Sequence, residues 1–293
     1  MIPPSQAVRD LKWTIGSPSL IEQDPLVSEL FQIERVDDAD AMSVQLDRFL
    51  LDQNPRRHAP RVGHYFETLV HFWLQQVCGY EIVEQGRQIV VDGVTRGELD
   101  FVFRDKQERL HHVETAVKFY LHIEKENHTG SHFVGPNAGD HFEKKMNRLF
   151  DKQLKLSEGL YEEPHQVWPW VKGRIFYHPQ STKPAQLPER LSGDSLRGIW
   201  IHAFELGDFV DQGEYERYQI LRKPHWLAAL PVEAGEAGEA GEEGDLTPEA
   251  LQTQLHEHFL NDPTPRLIIC RKKAEKAQGE AQHLFVVNDR WPD

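Results

Sequence analysis

Residues 97–118 read GELDFVFRDKQERLHHVETAVK, two alternating runs separated by a polar turn. Leu99, Phe101 and Phe103 fall on one side of the first run, and Val113, Thr115 and Val117 on one side of the second, the pattern of half-buried strands joined as a hairpin. Side chains an even number of residues apart share a strand face. Glu98 and Asp100 therefore point one way, and Glu114, Ala116 and Lys118 share one face of the second strand. Carboxylates and an ammonium group on one side of a small sheet suit metal-assisted hydrolysis of a phosphodiester. Two carboxylates hold a hard cation such as Mg2+ or Mn2+, which keeps several waters and takes a phosphate oxygen. A nearby lysine orients the attacking water or offsets charge in the transition state. The same residue types also decorate solvated hairpins as cross-strand ion pairs, so the surroundings must decide between the two readings.

Upstream, RVGHYFETLVHFWLQQV (61–77) places Val62, Phe66, Leu69, Val70, Trp73 and Val77 at helical spacing, with Glu67 beside the apolar stripe and Gly79 at its end. EIVEQGRQIVV (81–91) predicts a strand. Downstream, a loop through GPNAGD leads into HFEKKMNRLFDKQLKLSEG (141–159), a second helix. Asp140 is its N-cap with Glu143 three positions on, Phe142, Met146, Leu149 and Leu156 lie mostly on one side, and Gly159 stops it. VKGRIFYH (171–178) reads as a further strand, which makes the order helix, three strands, helix, strand.

That order, with Gly-Glu-x-Asp opening the second strand and a lysine on the third, resembles the PD-(D/E)XK nuclease-like superfamily across residues 60–180. More narrowly, VRDLKWTIGSPSL, GHYFETL, GELDF, ETAVKFYL, FVGPNAGD and QLKLS are similar to the bacterial family called domain of unknown function 1853, which supplies no activity. The superfamily resemblance implies a restriction-endonuclease-like core. It also implies Asp100 as metal ligand, Lys118 as catalytic lysine, and Glu67 as the helix acid that helps hold the metal through water. One departure matters. The superfamily's strand acid and lysine sit two residues apart, roughly 6.6 Å along a strand, whereas Glu114 and Lys118 are four apart, about 13 Å. Ala116 occupies the acid's position. A β-bulge, a Glu114 that reaches along its strand, or Glu98 fills the gap; loss of catalysis is the remaining alternative.

Net charge is −14 at neutral pH, against the basic footprint usual in nucleic-acid binding. Much of the imbalance sits in VEAGEAGEAGEEGD (232–245), six acids without a base in a three-residue repeat that predicts a disordered, self-repelling loop. Bases cluster elsewhere. Lys144, Arg148, Lys152 and Lys155 follow at helical spacing, and Arg56, Arg57 and Arg61 crowd the start of the first helix. The lysine stripe reads as a solvated helix face or as a phosphate-binding surface, and His112, which shares the Glu114 face, as a phosphate contact. His64, His71 and His111 form no zinc pattern, and Cys78 and Cys270 lack paired ligand spacing. No Walker loop or serine or cysteine nucleophile motif is present. No signal peptide or membrane-spanning run is read, and the few cysteines predict a reducing compartment, the bacterial cytoplasm.

The fold class expected is α/β (α+β). Residues 1–59 form a helical N-terminal extension, with ADAMSVQLDRFLLDQ its best segment, and 60–180 the α-β-β-β-α-β core. Residues 181–231 and 246–293 form a C-terminal α+β subdomain, with RGIWIHAFEL, YERYQILRK, RLIICRK and AQHLFVVNDRWPD as strands and a helix opened by Thr247 and Pro248. Its aromatics Trp200, Tyr215, Tyr218 and Trp226 pack a core or stack on bases. Two functions follow. One is a Mg2+- or Mn2+-dependent nuclease of DNA or RNA, with Asp100, Glu114 and Glu67 on the metal, Lys118 activating water and Glu98 assisting, and Lys144, Arg148, Lys152, Lys155 and His112 on the substrate. The other is an inactive nuclease-fold protein that binds a nucleic acid, a nucleotide or a protein.

Overall fold

The hairpin of residues 97–118 forms the second and third strands from one edge of a mixed sheet. The computed structural model describes residues 5–22, 39–53, 61–124, 132–163, 165–181, 187–229, 245–272 and 281–293. In chain order the elements are α1 (Gln6–Gly16), α2 (Ala39–Gln53), α3 (Val62–Phe72, continued by a wider turn over Trp73–Val77), β1 (Glu81–Val91), β2 (Val94–Arg104) and β3 (Leu110–His122). There follow β4 (Phe133–Val134), α4 (Phe142–Asp151), β5 (His165–Tyr177), β6 (Leu196–His202), α5 (Leu206–Asp211), β7 (Arg217–Leu221), α6 (Pro248–Asn261), β8 (Arg266–Arg271) and β9 (Gln282–Val287). The acidic repeat at 232–244, and Arg56 and Arg57, lie outside the described residues.

Among the described residues nine strands form one sheet in the order β1-β2-β3-β5-β6-β9-β8-β7, with β4 paired to β3. β1, β2 and β3 are antiparallel, β3, β5, β6 and β9 run parallel, and β9, β8 and β7 return to antiparallel pairing. The segment expected as a C-terminal subdomain therefore extends the central sheet, with β9 beside β6. Thr247 caps α6 by accepting from the Ala250 N–H, with Pro248 in the first turn, as its sequence predicts.

One face of the sheet is covered by α1, α2 and α3, whose Leu11, Leu46, Phe66, Leu69 and Trp73 share a core with Phe101, Val117, Phe119 and Phe176. The other face is covered by α4, where Phe142, Met146 and Leu149 meet Ala116, Tyr120, Val171 and Ile175. There too, α5 and α6 close over Ile201, Ile268 and Leu284. Two glycines allow close approaches near β3. A Cβ on Gly173 of β5, at φ +152, would lie 1.8 Å from the Lys118 carbonyl oxygen. A Cβ on Gly97 of β2 would lie 2.6 Å from Leu156, which comes from the turn after α4.

Candidate active site

β2 and β3 pair only from Phe101–Arg104 to Leu110–Val113 and then part, while β2 stays paired to β1 as far as Val94. Asp100 and Glu114 stand at the fork. Asp100 Oδ2 accepts from the Thr115 backbone N–H at 2.8 Å and from the Thr115 hydroxyl at 3.1 Å. The Asp100 N–H lies 3.4 Å from Glu114 Oε1. The parted backbone groups thus find their partners in the two carboxylates.

Glu114 is fully buried. His112 Nε2 lies 2.9 Å from its Oε1, and Gln153 donates to its Oε2 at 2.7 Å. His112 is itself fully buried and reaches Ser157 Oγ through Nδ1 at 2.9 Å, and Ser157 Oγ lies 2.8 Å from His165 Nε2. With Glu114 ionised, His112 donates from Nε2 and accepts the Ser157 hydroxyl proton at Nδ1. A phosphate contact by His112 is therefore corrected: both of its nitrogens are engaged inside the protein, where they fix the orientation of Glu114.

The turn that supplies Gln153 and Ser157 sits on β2 because Gly97 leaves room for Leu156. Sequence periodicity carries the helix to Gly159, but α4 ends at Asp151 and a short tight helical turn over Gln153–Lys155 follows. The N-cap of α4 is His141, with no side-chain bond to the helix, in place of Asp140. Asp140 instead accepts from Lys118 Nζ at 2.6 Å. A tertiary ion pair has outcompeted a local cap.

Lys145, which sequence reasoning passed over, enters from α4. It lies three residues after Phe142 and four before Leu149, within the helix's inward stripe. Its Nζ donates to Gln153 Oε1 at 3.0 Å, so one glutamine amide spans Lys145 and Glu114. Burial, and then the charge of Lys118, lower its pKa, while Asp100 and Glu114 oppose them.

Burial, then the charge of Glu114, raises the Asp100 pKa to about 6. Glu67 rises to about 7, through burial first and then the charges of Asp100 and Glu98. Glu67 thus reaches the acids of the fork electrostatically from α3, while His64 Nδ1 lies 3.7 Å from its Oε2. Glu98 is exposed and leans over β1, where a Cβ on Gly86 would meet its Oε1 at 3.3 Å. Lys144, Arg148, Lys152 and Lys155 are exposed along α4 and the turn beyond it. Among the described residues no three His, Cys, Asp or Glu side chains converge as a ready-made metal cage.

The assembled fork is a partly buried cluster of acids with a lysine beside it. The family model described as domain of unknown function (DUF1853) matches residues 9–287, and the chain belongs to that family. No curated protein and no solved structure matches the chain. Among the described residues no helix is long and apolar enough to cross a membrane.

Proposed function

We propose that this protein is a metal-dependent nuclease of the PD-(D/E)XK type, hydrolysing phosphodiester bonds of DNA or RNA in a bacterial cytoplasm. The observation that carries the reading is the fork itself: Asp100 and Glu114 sit side by side where β2 and β3 part, with Glu67 and Lys145 acting on them from helices on opposite faces. The donors fit a hard divalent cation. They are all carboxylate oxygens, and burial, then the charges of the neighbouring acids, raises the pKa of two of them, a cost that a cation relieves. Magnesium commonly takes one or two carboxylates and keeps waters, so Asp100 and Glu114 suffice as direct ligands, with Glu67 acting through water. Bound there, the cation would polarise a phosphate oxygen and acidify its water.

The chain's own residues supply the rest. Ser157 and His112 hold Glu114 in one orientation. With Glu114 as the strand acid, the superfamily's spacing puts the lysine at Ala116, and Lys145 reaches the same carboxylates from α4. Its ammonium is suited to orienting the attacking water and to offsetting charge on the phosphoryl oxygens. Lys118, paired with Asp140, flanks this centre. The exposed bases Lys144, Arg148, Lys152 and Lys155 offer contacts to the phosphate backbone despite the acidic whole.

A second reading, an inactive nuclease fold that binds a nucleic acid, a nucleotide or a protein, is favoured by one feature. Both Glu114 oxygens are engaged by protein groups, and Lys118 by Asp140. Incubation of the purified chain with single- and double-stranded DNA and RNA in Mg2+ or Mn2+ separates the two. Metal-dependent cleavage that disappears in Asp100→Asn supports the enzyme. Retardation of a nucleic acid without cleavage under every metal condition supports the binding module.

A further inference from the structure

Behind Glu114 a chain of hydrogen bonds runs outward to the half-buried His165. It passes from Glu114 Oε1 to His112 Nε2 at 2.9 Å, from His112 Nδ1 to Ser157 Oγ at 2.9 Å, and from Ser157 Oγ to His165 Nε2 at 2.8 Å. Glu114, His112 and Ser157 are all fully buried, so their orientations are set by protein partners alone. Three parts of the fold supply the chain: β3 carries Glu114 and His112, the turn beyond α4 carries Ser157, and His165 is the first residue of β5. His165 stands opposite Leu110 where the parallel β3–β5 pairing begins, and its ring meets that of Tyr161 edge-on with centroids 5.6 Å apart.

The direction of these bonds follows from counting hydrogens. Glu114 is surrounded by donors: the Gln153 amide at Oε2, His112 at Oε1, and the Asp100 N–H 3.4 Å from Oε1. A carboxylate only accepts, and a neutral imidazole has one N–H and one bare nitrogen. His112 therefore spends its hydrogen at Nε2 on Glu114 and turns a bare Nδ1 to Ser157. The serine hydroxyl has a single hydrogen, which goes to Nδ1, so its oxygen accepts from the remaining neighbour, His165 Nε2–H. The opposite order fails at the inner end. A bare His165 Nε2 would take the serine hydrogen, His112 would need its own at Nδ1, and its Nε2 lone pair would face a carboxylate oxygen. In a fully buried chain no water offsets such a mismatch.

We infer that His165 is a positioning residue of the fork: by donating from Nε2 to Ser157 it fixes the His112 tautomer, and through His112 the orientation in which Glu114 meets a cation. The inference rests on the reading of the fork as a metal centre, and it extends the hold on Glu114 to a residue that acts only through Ser157 and His112. Groups behind a metal ligand orient it in this way, and their loss typically weakens the metal about 10–100-fold.

The test joins ring 15N NMR of the metal-free full chain at pH 8 with calorimetric titration of Mn2+. Wild type is compared with His165→Phe, which keeps a ring against Tyr161 and removes the donor, with His165→Gln, which keeps a donor, with Ser157→Ala, and with the Ser157→Ala, His165→Phe double variant. The His112 signals are assigned by their loss in His112→Gln. Wild type is expected to carry the His112 hydrogen at Nε2. His165→Phe and Ser157→Ala should each lose that single tautomer and bind Mn2+ about tenfold more weakly, and His165→Gln should recover the tautomer and an affinity within about threefold of wild type. In the Ser157→Ala background His165→Phe should cost nothing more, because the two residues act in series. A His112 hydrogen at Nδ1 in wild type, an unchanged tautomer in folded His165→Phe or Ser157→Ala, no recovery in His165→Gln, or additive losses in the double variant would overturn the inference. If His165→Phe fails to fold, the wild-type tautomer and Ser157→Ala decide. No Mn2+ binding by wild type, with a His112 tautomer that still depends on His165, would overturn the metal centre while supporting the hold of His165 on Glu114.

Discussion

Asp10 on α1 and Asp100 on β2 are both acids withdrawn from water, and their surroundings differ in kind. Asp10 is fully buried and its two oxygens meet four partners: Gln6 Nε2 and the Ala228 N–H, each at 2.9 Å, and the Tyr65 hydroxyl and His225 Nδ1, each at 3.0 Å. These contacts tie α1 to α3 and to residues 225–228. Asp100 uses one oxygen for Thr115 and otherwise faces Glu114 and Glu67. A buried carboxylate enclosed by donors is a fastening of the fold. A carboxylate withdrawn from water and crowded by other carboxylates is held above its ordinary pKa, as at sites built to receive a cation or a proton.

The contrast breaks first at Asp100. Asp100→Asn is expected to lower metal-dependent cleavage roughly 10³-fold while leaving the melting temperature at pH 8 unchanged or higher; a parallel loss of fold would make Asp100 structural. Asp10→Ala should do the reverse. It leaves the Tyr65 hydroxyl, His225 and the Ala228 N–H without their acceptor, at a cost of about 3 kcal/mol, read as a lowered denaturant midpoint with cleavage per folded molecule retained.

Lys145→Ala sharpens the electrostatic half of the comparison. Cleavage should fall about 10²-fold. Because Lys145 lowers the pKa of both Glu67 and Asp100, its removal should move the acid limb of the pH–rate profile upward. The smallest effect belongs to Glu67. Its pKa of about 7 exceeds the ordinary 4.5, so the native state keeps a proton that the unfolded chain releases, and the stability this contributes is lost as pH rises between those values. Glu67→Gln should therefore raise the melting temperature at pH 8 by about 1–2 °C and leave it nearly unchanged at pH 4.

Much of this fork was legible in the sequence. The alternation of residues 97–118 placed Asp100 and Glu114 on two paired strands, although β3 is buried along almost its whole length where half-burial was expected, and the spacing from Val62 to Val77 placed Glu67 on a helix. What stayed hidden depended on tertiary partners. The four-residue gap between Glu114 and Lys118 is a fact about one strand, and it cannot reveal a lysine delivered from α4. Lys145 left a trace nonetheless, as a charge inside the Phe142–Met146–Leu149 stripe where an apolar residue is usual. Asp140 carried every local sign of an N-cap and was claimed by Lys118. The C-terminal strands were visible one by one, but their continuation of the central sheet rests on the parallel β5–β6 and β6–β9 pairings, which link residues far apart in sequence.

The most direct measurement is isothermal titration of Mg2+ and Mn2+ into wild type, Asp100→Ala and Asp10→Ala at pH 8, repeated for wild type at pH 5.5. The account predicts binding in wild type that weakens as the pH falls through the range where Glu67 and Asp100 take up protons. It predicts no binding in Asp100→Ala and retained binding in folded Asp10→Ala. No binding by wild type at pH 8, or equal affinity in Asp100→Ala, would contradict the fork as a metal centre.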